Sequence, residues 1–94
     1  MKVSIEIVDA WIKDCIGKVV ETDEDGRLFF PCSFAQCYGE KSGMAIKPIV
    51  RDMMARREVT RKVKVNCGGY GDRGHAYHCD NYLTVIVTLG FENL

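Results

Sequence analysis

The chain has 94 residues, 47% hydrophobic and 28% charged, with thirteen basic and thirteen acidic side chains. That is the size of one domain with one core, too small for two and far from the composition of a disordered chain. A formal charge of zero excludes long-range attraction to nucleic acid or membrane as a property of the whole molecule.

The charge is nevertheless uneven. Residues 1–40 hold four basic and eight acidic groups, residues 41–73 nine and three, and residues 74–94 only Asp80 and Glu92, so the middle of the chain is a basic block. No apolar run approaches the length that spans a bilayer. Glu6, Asp9, Lys13 and Asp14 interrupt the first segment, so neither a membrane span nor a secretory leader is expected. Five cysteines, an odd number in such a chain, point to reduced thiols in the cytoplasm rather than to a disulfide framework.

In chain order, Val3, Ile5 and Ile7 alternate with polar residues and predict a first strand. Asp9 is placed to cap a short helix in which Trp11/Cys15 and Ile12/Ile16 recur at i, i+4, with Gly17 as its stop. A single helix from about Ser4 is the alternative, because Val8, Trp11, Ile12, Cys15, Ile16 and Val19 also follow a helical stripe. Residues 18–22 and 27–32 read as two strands of a hairpin closed by Asp23-Glu24-Asp25-Gly26, where Gly26 suits a tight turn.

Residues 33–47 lose all periodicity and read as a loop. Pro48 fits the first position of a helix reaching about Glu58, with Ile49, Val50, Met53 and Met54 buried and Asp52/Arg56 paired on its flank. From Thr60 to Cys67 alternation returns, with Val63, Val65 and Cys67 inward and Lys62, Lys64 and Asn66 outward. Residues 82–89 form a last, central strand. The expected fold is α+β in the order β-α-β-β-α-β-β: a mostly antiparallel sheet of about five strands with two helices on one face.

The most unusual stretch is residues 67–81, a long glycine-rich link between two strands that a two-residue turn could join. It holds both histidines and three aromatic or cationic residues of the kinds enriched at protein interfaces. Tyr70, Arg73, His75, Tyr77, His78 and Tyr82 are therefore the candidate partner-binding set. The link itself is expected to be dispensable for folding. Its glycines resemble a phosphate cradle only superficially, since no helix follows them.

Three other chemistries compete for these residues. Cys32 and Cys37 have the spacing of a zinc half-site, and Cys67, His75, His78 and Cys79 could supply a second pair, although backbone geometry disfavours neighbours His78 and Cys79 sharing one ion. Cys67 or Cys79 beside His75 or His78, oriented by Asp80, could be drawn as a thiol enzyme. Otherwise no catalytic set stands at a telling spacing. Lys47, Arg51, Lys62 and Lys64 could track a nucleic-acid backbone, but no aromatic row is interleaved with them.

The function these features favour is a small, non-enzymatic accessory or inhibitor-like protein without a required cofactor. It would dock on a larger protein or nucleoprotein, with protein preferred over nucleic acid and no membrane partner. Self-association through an unprotected edge strand is the neighbouring expectation. A zinc-stabilised nucleic-acid-binding domain and a thiol-dependent enzyme are the alternatives.

Overall fold

A computed structural model of the chain describes residues 1–34, 36–72, 74 and 76–91. Its strands are β1 (Lys2–Ala10), β2 (Val19–Asp23), β3 (Phe29–Phe30), β4 (Met44–Ala45), β5 (Thr60–Asn66) and β6 (Tyr82–Gly90), with one α-helix, α1 (Lys47–Arg56). Four strands form an antiparallel sheet in the order β2-β1-β6-β5, and β3 and β4 form a separate antiparallel pair.

This corrects the expected fold in two respects. Among the described residues there is one α-helix rather than two, and six strands lie in two sheets rather than about five in one. The start of the segment expected to be the first helix, Asp9 and Ala10, instead continues β1. A bulge between Ile7 and Asp9 resets the register, so that Asp9 faces Thr84 and Ala10 faces Leu83. Only a short 3₁₀ turn, Lys13–Cys15, remains of the helix.

Gly17 is not a helix stop. With φ of +92°, it is the left-handed residue of a second bulge, where its N–H donates to the Ile7 carbonyl (2.8 Å) and the Ile7 N–H donates to the Lys18 carbonyl (2.9 Å). The expected hairpin of residues 18–32 is likewise absent. Its turn forms, with the Gly26 N–H donating to the Asp23 carbonyl (3.1 Å), but β2 pairs with β1 and the next strand, β3, pairs with β4.

The alternating residues of β1 and β6 explain the large sheet. Val3, Ile5, Ile7, Leu83, Val85, Val87 and Leu89 all point to one buried face. Onto that face pack Leu28, Met44 and Ile46, together with Val50 and Met53 of α1. Pro48 lies in the first turn of α1, where its missing N–H costs nothing. The opposite face, carrying Glu6, Lys62, Lys64 and Tyr82, looks outward. Among the described residues no helix is long and apolar enough to cross a membrane.

Candidate metal centre

The ladder between β5 and β6 does not end with the strands. Beyond the Asn66/Tyr82 pair, the Cys67 N–H donates to the Asn81 carbonyl (2.9 Å) and the Cys79 N–H donates to the Gly69 carbonyl (3.0 Å). The antiparallel register therefore carries Cys67 and Cys79 toward each other although eleven residues separate them. Residues 31–43 close over this end. The Tyr38 N–H donates to the Tyr70 carbonyl (2.7 Å) and the Tyr70 N–H donates back to Tyr38 (2.8 Å), which brings Cys37 against Gly69.

The outcome is a cluster of four cysteines. The sulfurs of Cys32, Cys37, Cys67 and Cys79 all lie within 4.8 Å of one another. Cys32 and Cys79 are 3.8 Å apart, and Cys37 and Cys67 are 3.6 Å apart. A tetrahedron with metal–sulfur bonds of about 2.3 Å has sulfur–sulfur edges of about 3.8 Å, so the cluster is close to the size a zinc ion requires. Gly69 is needed for this approach: a Cβ there would stand 2.5 Å from the Cys37 sulfur and 2.9 Å from the Tyr38 carbonyl oxygen.

Donors surround the sulfurs. The backbone N–H groups of Gly43 and Gly69 point at Cys67 Sγ (3.1 and 3.3 Å), Asn81 Nδ2 at Cys32 Sγ (3.2 Å), and Ser42 Oγ lies 2.9 Å from Cys37 Sγ. Asn81 is only 2% exposed, a buried amide whose NH₂ is satisfied by sulfur. Such donors spread the negative charge that four thiolates bring to one ion and fix the direction of each sulfur.

Without a metal, two of the thiols, Cys37 and Cys79, favour the protonated form. Burial pushes Cys79 up to about 12 and raises Cys37 as well. Burial also raises Cys32, but hydrogen bonds, that of Asn81 first, outweigh it and leave this thiol below its ordinary value. A bound dication reverses that preference, because its charge deprotonates a coordinating thiol outright.

Of the predicted metal residues, the structure brings together Cys32, Cys37, Cys67 and Cys79. His75 lies outside the described residues. His78 is not among the clustered ligands; its ring stacks on Tyr70 at 5.5 Å between centroids. Of the predicted partner-binding set, the structure brings Tyr70 and His78 together. Tyr70 is built into the bridge to Tyr38, Tyr77 is 73% exposed, and the Tyr82 hydroxyl donates to Asp9 (3.2 Å) while Lys64 sits over its ring (4.4 Å). Arg73, also predicted here, lies outside the described residues.

The basic block is divided as well. Lys47 and Arg51 belong to α1, which covers the buried face of the sheet, whereas Lys62 and Lys64 project from the opposite face. Two further arginines are neutralised nearby: Arg56 pairs with Asp52 (3.2 Å), and Arg61 pairs with Asp52 (2.9 Å) and Glu58 (2.6 Å). The link 67–81 is no pendant loop either, since its two ends carry half of the cysteine cluster. The chain matches no protein-family profile, no curated protein and no solved structure.

Proposed function

We propose that this chain is a small non-enzymatic interaction module whose loop-rich end is held by one structural zinc ion on Cys32, Cys37, Cys67 and Cys79. The observation that carries the reading is the tetrahedral-sized cluster assembled from two separate stretches of chain. Four protein sulfurs fill a zinc coordination sphere and leave no position for water or substrate, which is the composition of structural rather than catalytic sites. The thiols must stay reduced to serve, in keeping with a cytoplasmic setting. With the metal assigned to structure, the exposed Trp11, Ile16, Val19, Val59 and Tyr77 are groups available to a protein partner.

Elemental analysis of protein purified under reducing conditions without added metal tests the reading. About one zinc per chain is expected, with protons released when zinc is restored to the apo form. Iron in place of zinc would change the ion and retain the site, since four thiolates suit either metal. A metal-free protein indifferent to zinc, or one in which the four cysteines are paired as disulfides, would overturn it.

A further inference from the structure

The two edges of the large sheet are unlike. On β5 the outward side chains are Thr60, Lys62, Lys64 and Asn66, and the two lysines are charges that blunt an edge against further pairing. On β2 the outward side chains are Val19, Glu21 and Asp23. The bulge at Gly17 sets the phase of β2. Because the Ile7 N–H bonds to the Lys18 carbonyl, the backbone groups of Lys18, Val20 and Thr22 face β1, and those of Val19 and Glu21 face away from the sheet.

Beside this edge lies a cavity of about 140 Å³. Ile7, Val20 and Leu83 form its sheet side, Phe30 and Met44 its other wall, and Ser33 lies at its rim. Its size suits one leucine or phenylalanine side chain, being close to that of an apolar cavity that accepts benzene. The stretch leading into β2 also carries three of the molecule's exposed large apolar residues, Trp11 (40%), Ile16 (42%) and Val19 (56%). Acidic charge follows on the far side, with Glu21, which pairs with Lys2 (3.2 Å), then Asp23, Glu24, which pairs with the N-terminus (3.6 Å), and Asp25.

We infer that β2 receives an extended segment of a protein partner as an added strand, with one apolar side chain of that segment in the cavity and basic residues along Glu21 and Asp23. The inference rests on the reading of the domain as an interaction module and gives that partner's chemistry. Main-chain bonds to an edge strand supply affinity, and a pocket for alternate side chains supplies specificity. Alternation fixes the pattern: an apolar anchor opposite Val20 puts basic residues one and three positions away, opposite Glu21 and Asp23. The segment therefore reads basic-x-basic-apolar if antiparallel to β2 and apolar-basic-x-basic if parallel.

The probes are two blocked nonapeptides, one per orientation, each with leucine as anchor, lysines at the basic positions and threonine elsewhere, titrated into the zinc-loaded protein by NMR. One of them is expected to shift and protect the Val19 and Glu21 amides. Replacing its leucine by aspartate should weaken binding at least about tenfold, as should N-methylation of its amides that face β2. Glu21→Lys with Asp23→Lys, and separately Ser33→Trp at the cavity rim, should each weaken it; both alter exposed residues and leave the core intact.

Three results would overturn the inference: no shift in β2 with either peptide, binding indifferent to these protein variants, or a concentration-dependent dimer of this chain seated on β2. A partner found to bind through another face would leave the module reading standing and remove this one. A protein purified without metal and indifferent to zinc that still binds the peptide would remove the zinc assignment and leave this inference standing.

Discussion

The four-stranded sheet and the cysteine-centred end of the molecule are held by different forces. In the sheet, regular alternation gives the inward positions of the two central strands apolar side chains, and Val3, Ile5, Val85 and Val87 are fully buried. Its cohesion comes from area removed from water and from paired backbone groups. At the other end, residues 31–43 and 67–81 are rich in glycine and polar groups, and their described residues contain almost no regular structure. What they bury is largely sulfur. A region that cannot gather enough apolar surface to offset its ordering entropy needs a staple, and here the staple is the cluster of thiols.

The sharpest way to break the comparison is Cys67→Ser. Binding free energies of structural zinc are of order 10 kcal/mol or more in small zinc peptides, so loss of one ligand is the largest effect expected of any single change. Hydrogen exchange should show amides in residues 31–43 and 67–81 losing protection while those of β1 and β6 keep theirs. His78→Ala is the matched control. It removes the stack on Tyr70 and no sulfur, so the zinc content should not change. Equal loss of protection throughout the chain after Cys67→Ser would show that the two regions are one cooperative unit.

The converse is Ile5→Ala. This side chain is fully buried between the partners Val20 and Val87, and its truncation should cost about 2–5 kcal/mol through lost transfer energy and the cavity left behind. Chemical denaturation should show an earlier midpoint with the slope unchanged. The zinc content of the folded protein should be that of the wild type. A variant that folds but no longer retains zinc would mean that the sheet, rather than the metal, positions the thiols.

The same contrast explains what could be read from the residues alone. Strands β1, β5 and β6 and helix α1 announce themselves by periodicity, because each buries one face. The false helix after Asp9 arose because Trp11/Cys15 and Ile12/Ile16 imitate helical spacing, while Asp9 and Ala10, where it would begin, are held by pairing with Thr84 and Leu83 some seventy residues away. The hairpin failed for a related reason: Gly26 makes a turn, but no local signal says which strands the turn joins. Cys32 and Cys37 were legible as half of a metal site. Cys67 and Cys79 were ambiguous among neighbouring histidines, yet one signal was available. Taking residues 60–67 and 82–89 as an antiparallel pair would have placed Cys67 opposite the residues just before Tyr82, and so beside Cys79 rather than His75.

The smallest expected effect lies on the sheet side, at the turn between α1 and β5. Arg61 donates to both oxygens of Glu58 (2.6 and 2.9 Å) and to Asp52 (2.9 Å), and these hydrogen bonds hold both carboxyls below the usual carboxylate range. A depressed carboxylate contributes stability that is present above its ordinary pKa and lost as pH falls through the lower folded value. Arg61→Gln should therefore lower the thermal midpoint slightly at neutral pH, and the difference from wild type should close as the solution is acidified below the carboxylate range. The pairs are at the surface, so added salt should shrink the difference as well. Acid would also release a zinc ion held by the four cysteines by protonating its thiolates, which would hide so small a change if absolute stabilities were compared. Subtracting the two proteins at each pH, both stripped of metal, removes that contribution. A difference that persists unchanged in acid would mean that Arg61 acts through the packing of its aliphatic stem on the edge strand rather than through its charge.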